Sequence, residues 1–344
     1  MTFWIDFAAF ALKSFWLAGM IALVLIVPVI IGARVQRRGR EDDDEVSIKN
    51  LDSAYDDLEA RMLAATAGSK QAKAFLKERR KAAKAEAKTE AKAAEKSADE
   101  GFRNVFVIDF KGDTMASGHQ AFARKVTAAL LAARPGKDEI VVNIHSPGGL
   151  VSAYGLMAAQ MQRVRRAGVE LTACVDQVAA SGGYMMAVAA NTIVAAPFAV
   201  VGSIGVVAQA PNVNRLLKKL DIDYEELTAG AHKRPMSILA PNTEEGREHF
   251  RHKLEETHVA FKDFVRENRP ALNVETVGDG DYWYATDALK LGLIDAIATS
   301  DEFLLARRGK ARLFAIEAPE KKTLIKLFLG RLGQAGARLL AGRA

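Results

Sequence analysis

The sequence predicts an α/β domain on a largely parallel sheet, preceded by a membrane-spanning segment and a charged stalk. Three observations lead there. The run 15–33 holds no charged residue, and about 19 residues suits one helical pass through hydrocarbon. Residues 70–96 are rich in Ala, Lys and Glu, with no apolar stripe except around Phe75 and Leu76. From residue 101 onward, short apolar runs alternate with stretches of helical apolar spacing, the pattern of an α/β fold.

The apolar run is read as an uncleaved anchor. A signal peptide would show a positive start, a shorter apolar core and small residues at a cut site. Here the run is long and meets Arg34, Arg37, Arg38 and Arg40 at once. Trp4 and Trp16 suit an interface, and Pro28 kinks such a helix without forbidding it. Counting arginines places the far side of the helix in the cytoplasm. Residues 1–40 thus form anchor and basic flank, and 41–100 a solvated helical or disordered stalk. Residues 101–310 form the α/β domain, and 311–344 a basic amphipathic tail that suits either a membrane surface or a protein partner.

Within the domain, strands are expected over 105–110, 139–145, 169–175 and 192–196, with a strand-like run at 223–228. Helices are expected over 118–133, 150–166, 183–190 and 243–268, the last two-faced and closed by Pro270. The stretch 185–208 is apolar enough to suggest a second span. Asn191, Pro197, Gly202, Ser203 and Gly205 interrupt it, so it reads as buried strand and turn.

The formal charge of +6 is concentrated in 34–40, 70–96 and the tail from Lys321. With an apolar span next to it, this favours an anionic membrane surface over nucleic acid. No basic motif interleaved with aromatics argues for RNA or DNA. The single cysteine, Cys174, excludes an internal disulfide and a cysteine-rich metal site. It lies in an apolar run and reads as a buried small hydrophobe.

Three glycine-rich turns follow expected strands: Ser146-Pro147-Gly148-Gly149, Ala180-Ser181-Gly182-Gly183 and Gly202-Ser203-Ile204-Gly205. In parallel α/β folds, sites collect at the carboxyl ends of strands. None of the three is a phosphate loop or a dinucleotide fingerprint. Ser181 stands where a strand gives way to a helix, which suits a nucleophile and equally a plain N-cap serine. A serine nucleophile needs a base. Lys233 follows the turn Ala229-Gly230-Ala231-His232, and a desolvated lysine can serve. Taken alone, Lys233 reads as a surface charge.

Five motifs in order, completed by Gly230-Ala231-His232-Lys233 and by Tyr282-Trp283-Tyr284-Ala285 leading to Gly292-Leu293-Ile294-Asp295, carry a resemblance. Residues 101–310 resemble the signal peptide peptidase A family of serine proteases (peptidase family S49), in its inner-membrane branch. The resemblance implies a ClpP/crotonase-like fold and a serine endopeptidase with a Ser181–Lys233 dyad, free of metal and cofactor. It assigns the oxyanion hole to the main-chain N–H groups of Gly148 or Gly149 with Gly182, and the orientation of the lysine to Ser203. It further implies peptide or unfolded-protein substrates, a homo-oligomeric ring, and dyad members drawn from neighbouring subunits. Family members tend to hold the domain in the periplasm, whereas the flanking arginines point to the cytoplasm.

Rival readings are weaker. A Ser-His-Asp triad would draw on His145 or His232 with Asp109, yet no serine sits in G-x-S-x-G. Crotonase-type acyl-CoA chemistry leaves Lys233 and the anchor unexplained, and an inactive membrane scaffold of the same fold needs no dyad. His249, His252 and His258 on the 243–268 helix lack the spacing of a zinc site and read as solvated side chains.

Overall fold

The computed structural model of the chain describes residues 46–94, 102–230 and 232–318, with side chains omitted for 86–94. The expected anchor over 15–33 and the tail beyond 318 lie outside these residues. Among the described residues, no helix is long and apolar enough to cross a membrane.

The described residues begin with strand β1 (Ser47–Asn50), helix α1 (Leu51–Thr66) and helix α2 (Ser69–Ala94). Next come β2 (Arg103–Lys111), α3 (His119–Ala132), β3 (Glu139–His145), α4 (Val151–Arg166) and β4 (Glu170–Val175). They are followed by β5 (Val178–Ala180), α5 (Gly182–Val188), β6 (Thr192–Ala195) and β7 (Val200–Gly202). The remainder is α6 (Asn214–Lys219), α7 (Glu244–Asn268), α8 (Val274–Val277), β8 (Tyr282–Tyr284), α9 (Ala285–Leu291), β9 (Ala296–Ile297), α10 (Ser300–Leu305) and β10 (Ala311–Glu317).

A seven-stranded sheet runs β1-β10-β2-β3-β4-β6-β9. Every pairing from β10 to β9 is parallel. Both faces of such a sheet must be covered, and the strand sequences show it. On β2, Val105 and Val107 join Val141, Cys174, Val194 and Leu313 on one face. Leu51 and Tyr55 of α1 and Phe303 and Leu304 of α10 pack there. Alternate residues point the other way: Phe110 meets Phe122 of α3 at 5.3 Å between ring centroids and Tyr154 of α4 at 6.4 Å. On α4, Tyr154, Met157, Ala158, Met161 and Val164 are buried, a spacing of three and four residues that lays one helix stripe on the sheet.

A smaller sheet, β5-β7-β8, stands beside the first, with β5 and β7 parallel and β7 and β8 antiparallel. Residues 185–204 supply most of α5, and β6 and β7, and are largely buried, as expected, while Phe198 and Val207 stand exposed.

Three expectations need correction. The segment read as stalk is helical from 51 to 94 apart from a two-residue turn, one of the two states expected, but its first part is not a free spacer: Asp52 accepts the Leu313 N–H at 2.9 Å, and Arg308 reaches Asp56 and Glu59. The first residues of the expected tail, 311–317, form β10 inside the sheet. The strand-like run 223–228 is not a strand. Its apolar side chains have no neighbouring strand to pair with, and Leu227 is 95% exposed.

Candidate active site

The three glycine-rich turns end three strands that lie side by side. Ser146 bridges Ala179 in parallel, and Ala180 is in register with Gly202. Backbone bonds lock the row: Ser146 N–H to Val178 O at 2.8 Å, Ala180 N–H to Ser146 O at 3.0 Å, and Ser181 N–H to Gly202 O at 2.8 Å. The sheet register therefore gathers Ser181, the Gly148-Gly149 turn and Ser203 at one edge, although 57 residues separate Ser146 from Ser203.

Ser181 forms the elbow between β5 and α5. Its backbone sits at φ 51° and ψ −119°, a region that costs a non-glycine residue about 1–3 kcal/mol. Sharp strand-to-helix turns of this kind lift a nucleophile out of the chain path. The Ser181 side chain makes no cap bond to the helix, so the plain N-cap reading fails. α5 itself is wholly buried, and Tyr184 anchors it by donating to Leu293 O at 2.8 Å.

Gly148 (φ 90°) is pressed onto this elbow: a Cβ there would lie 2.7 Å from Gly182 N and 2.8 Å from the Ser181 Cβ. At Gly149 a Cβ would come within 2.1 Å of Thr114 O. The turn is held from beneath by a buried hydroxyl chain that sequence reasoning missed. The Tyr154 hydroxyl donates to Asp113 O at 2.8 Å. Its single proton is thereby used, so Ser146 Oγ donates to Tyr154 at 2.6 Å and accepts the Gly148 N–H at 3.1 Å. Burial, opposed by the bond to Ser146, raises the Tyr154 pKa and keeps the phenol protonated. The Gly148 amide is thus turned back into its own loop. Among the described residues, the Gly149 and Gly182 amides have no hydrogen-bond acceptor. Tyr154 could have been suspected from its place one turn after Gly149, on the buried stripe of α4.

Ser203 also has positive φ, 52°, and its N–H donates to Asp281 O at 2.7 Å. Behind it, His258 of α7 lies with Nε2 at 3.0 Å from Ile204 O and 2.7 Å from Gly278 O. Two carbonyls facing one nitrogen require that this nitrogen carry the proton. His258 is a half-buried clasp between α7 and the Ser203 turn, not the solvated side chain expected. The helical period hid this, because its acceptors come from loops remote in sequence.

Lys233 lies on an arm, residues 206–243, whose only regular element among the described residues is α6. The arm is stitched to itself: Asn212 Nδ2 donates to Ser237 O and Ala240 O, both at 2.9 Å, and Asn214 Nδ2 to Leu239 O at 2.8 Å. The Lys233 N–H closes a turn onto Gly230 O at 3.1 Å, and the side chain is exposed. Next to it, His232 stacks on His249 of α7, ring centroids 3.9 Å apart and planes 7° off parallel. Partial desolvation, then the nearby His232, Lys253 and His252, lower the His249 pKa. His249 is therefore also engaged, while His252 pairs with Glu256 on the helix surface. His145 and Asp109, the rival triad members, lie on β3 and β2, with Asp109 held by the Asn143 amide at 2.7 Å. Among the described residues, no cluster of three metal-ligating side chains occurs. Cys174 is buried, and desolvation, then Asp176 and Glu139, push its thiol up to about 12.

A strained serine elbow flanked by glycine amides, on parallel strand ends, is a geometry that suits acyl transfer. Known proteins narrow the class. The model described as peptidase family S49 matches residues 163–313, and that described as peptidase family S49 N-terminal matches residues 2–161. A probable protease SohB of Haemophilus influenzae is 46% identical over 239 residues, 70% of this chain and 67% of that one. Another, of Buchnera aphidicola subsp. Schlechtendalia chinensis, is 39% identical over 310 residues, 89% of this chain and all of that one. A solved 1510-N membrane-bound stomatin-specific protease, in complex with a substrate peptide, overlaps with a TM-score of 0.44 at 17% identity, covering 66% of this chain and 98% of that one. The chain belongs to peptidase family S49, and it is a serine peptidase.

Proposed function

We propose that the protein is a membrane-anchored endopeptidase that cleaves peptides or unfolded protein segments through a Ser181–Lys233 dyad. The strained elbow at Ser181 carries this reading. A backbone held at φ 51° needs a compensating use, and such outliers cluster where a side chain must be aimed. Ser181 Oγ attacks the peptide carbonyl while its proton passes to the neutral Lys233 amine. The Gly149 and Gly182 amides receive the developing oxyanion. The lysine then protonates the leaving amine, and water activated by the same amine hydrolyses the acyl-enzyme.

A lysine works as a base only when it is desolvated. Lys233 is exposed in the single subunit, so a neighbouring subunit of a ring covers it and completes the dyad across the boundary. Ser203 orients the amine there. The 15–33 run holds the protein in the bacterial inner membrane as a single pass.

The test is cleavage of an unfolded protein by Ser181→Ala and Lys233→Ala. Each is expected to lower kcat at least about a thousandfold with secondary structure intact. Full activity of the Lys233→Ala protein would remove the dyad.

A further inference from the structure

Helix α2 carries a basic face that the serine protease chemistry does not use. At about 100° per residue, Lys70, Lys73, Lys77, Arg80, Lys81 and Lys84 fall within an arc of roughly 100°. All six are exposed, and none forms an ion pair among the described residues. Five of them, with Leu76 between, border one shallow depression. The spacing continues in the sequence with Lys88 and Lys92.

The opposite side of the helix is the packed one. α1 and α2 form an antiparallel hairpin joined by Ala67 and Gly68, with Ala72 buried and Arg79 paired to Asp56 at 3.5 Å. α2 is ten residues longer than α1. Its basic face therefore runs back past the end of the hairpin at which the chain enters. Only residues 34–46 separate that entry from the apolar run at 15–33, a reach of at most about 45 Å.

We infer that the basic face of α2 docks on the anionic phospholipid headgroups of the membrane. The headgroup plane offers a continuous negative surface, which matches a straight cationic stripe without aromatics. Nucleic-acid sites for single strands interleave aromatic platforms with charge, and this face has none. Each lysine or arginine near an anionic leaflet strengthens association by roughly fivefold, within about a Debye length. The inference draws on the anchored reading only for proximity, and it is independent of the dyad.

The experiment uses the full chain in nanodiscs, with a fluorophore at Ala74→Cys beside the stripe. Cys174 is buried and stays unlabelled. Quenching by headgroup nitroxides is compared in phosphatidylcholine discs and in discs that also contain phosphatidylglycerol. Strong quenching is expected only with phosphatidylglycerol, reversed by salt. The variant Lys73→Gln/Lys77→Gln/Lys81→Gln/Lys84→Gln is expected to weaken docking at least about a hundredfold. Its cleavage of a soluble unfolded protein in detergent is expected to stay unchanged, which separates this inference from the catalytic one. Equal quenching in both lipids, an unaffected quadruple variant, or tighter binding of a single-stranded RNA oligomer than of the anionic disc would overturn it.

Discussion

At the residue scale, Ser181 and the turn beside it are held by a buried set of neighbours. Gly148 fills the space against its Cβ, and Ser146 and Tyr154 fix the turn that presents Gly149. Replacing Tyr154 by Phe removes the donor to Asp113 O and leaves Ser146 Oγ without its acceptor. Buried polar groups stripped of partners cost about 1–3 kcal/mol, so urea unfolding is expected to shift by that amount. The kinetic effect is more specific. If the turn aims the Gly149 amide at the oxyanion, kcat falls while KM changes little, because the interaction exists only in the transition state. A rise in KM alone would show that the hydroxyl chain holds the fold and not the oxyanion donor.

At the element scale, two junctions set where the site residues sit. The first is the C-terminal end of α3. Asp138 is buried and accepts from Asn104 N–H at 2.7 Å, from Arg134 N–H at 2.8 Å and from two guanidinium nitrogens of Arg134. Burial alone would raise its pKa, but these donors outweigh it and hold the carboxyl below its usual value. Its stabilisation is therefore full above the unfolded Asp value near 3.9 and is lost as pH falls through the lower, folded one. Asp138→Asn is expected to destabilise by about 1–3 kcal/mol, since the Asn104 and Arg134 donors lose a buried charged acceptor, and to flatten the acid limb of a pH–stability curve. The second junction is the His232–His249 stack, which ties the Lys233 turn to α7. The lowered His249 pKa means the folded state resists protonation, with His232, Lys253 and His252 repelling the charge and Glu256 opposing them. The stack thus contributes above about pH 6.5 and weakens as pH drops below it. His249→Phe keeps a ring without the charge, so its activity is expected to survive mild acid better than the parent's; identical pH profiles would sever the stack from the lysine.

These junctions also show how far the sequence could be read. Hydrophobic runs fixed β3 to the residue, and glycine spacing placed Ser181 at a strand-to-helix turn, because strand ends and turns are written in local residue types. The partners of His258 and Tyr154, Gly278 O and Asp113 O, are not, since Asp113 lies 41 residues from Tyr154 and Gly278 comes from a loop beyond the end of α7. The run 223–228 misled for the opposite reason: its apolar residues resemble a strand locally but find no sheet.

At the scale of the whole molecule, that run poses the remaining question. Val207, Leu216, Leu220, Ile222, Leu227 and Ile238 are all exposed on the arm that carries Lys233. Single exposed leucines are ordinary, but six large apolar side chains exposed on one arm suit a contact surface. Covering the arm with a second copy would remove these side chains from water and, in the same step, desolvate Lys233 as the proposed dyad requires. Solubility and catalysis then share one cause. Leu220→Glu/Leu227→Glu is expected to yield single subunits by light scattering, with the circular dichroism of the parent and no peptidase activity. Mixing Ser181→Ala and Lys233→Ala subunits is expected to restore part of the cleavage, because a boundary at which the Lys233→Ala subunit supplies the serine and the Ser181→Ala subunit the lysine has both residues intact. An arm variant that stays active as a single subunit would mean that Lys233 reaches Ser181 within one chain, with the apolar arm itself folding down to exclude the water.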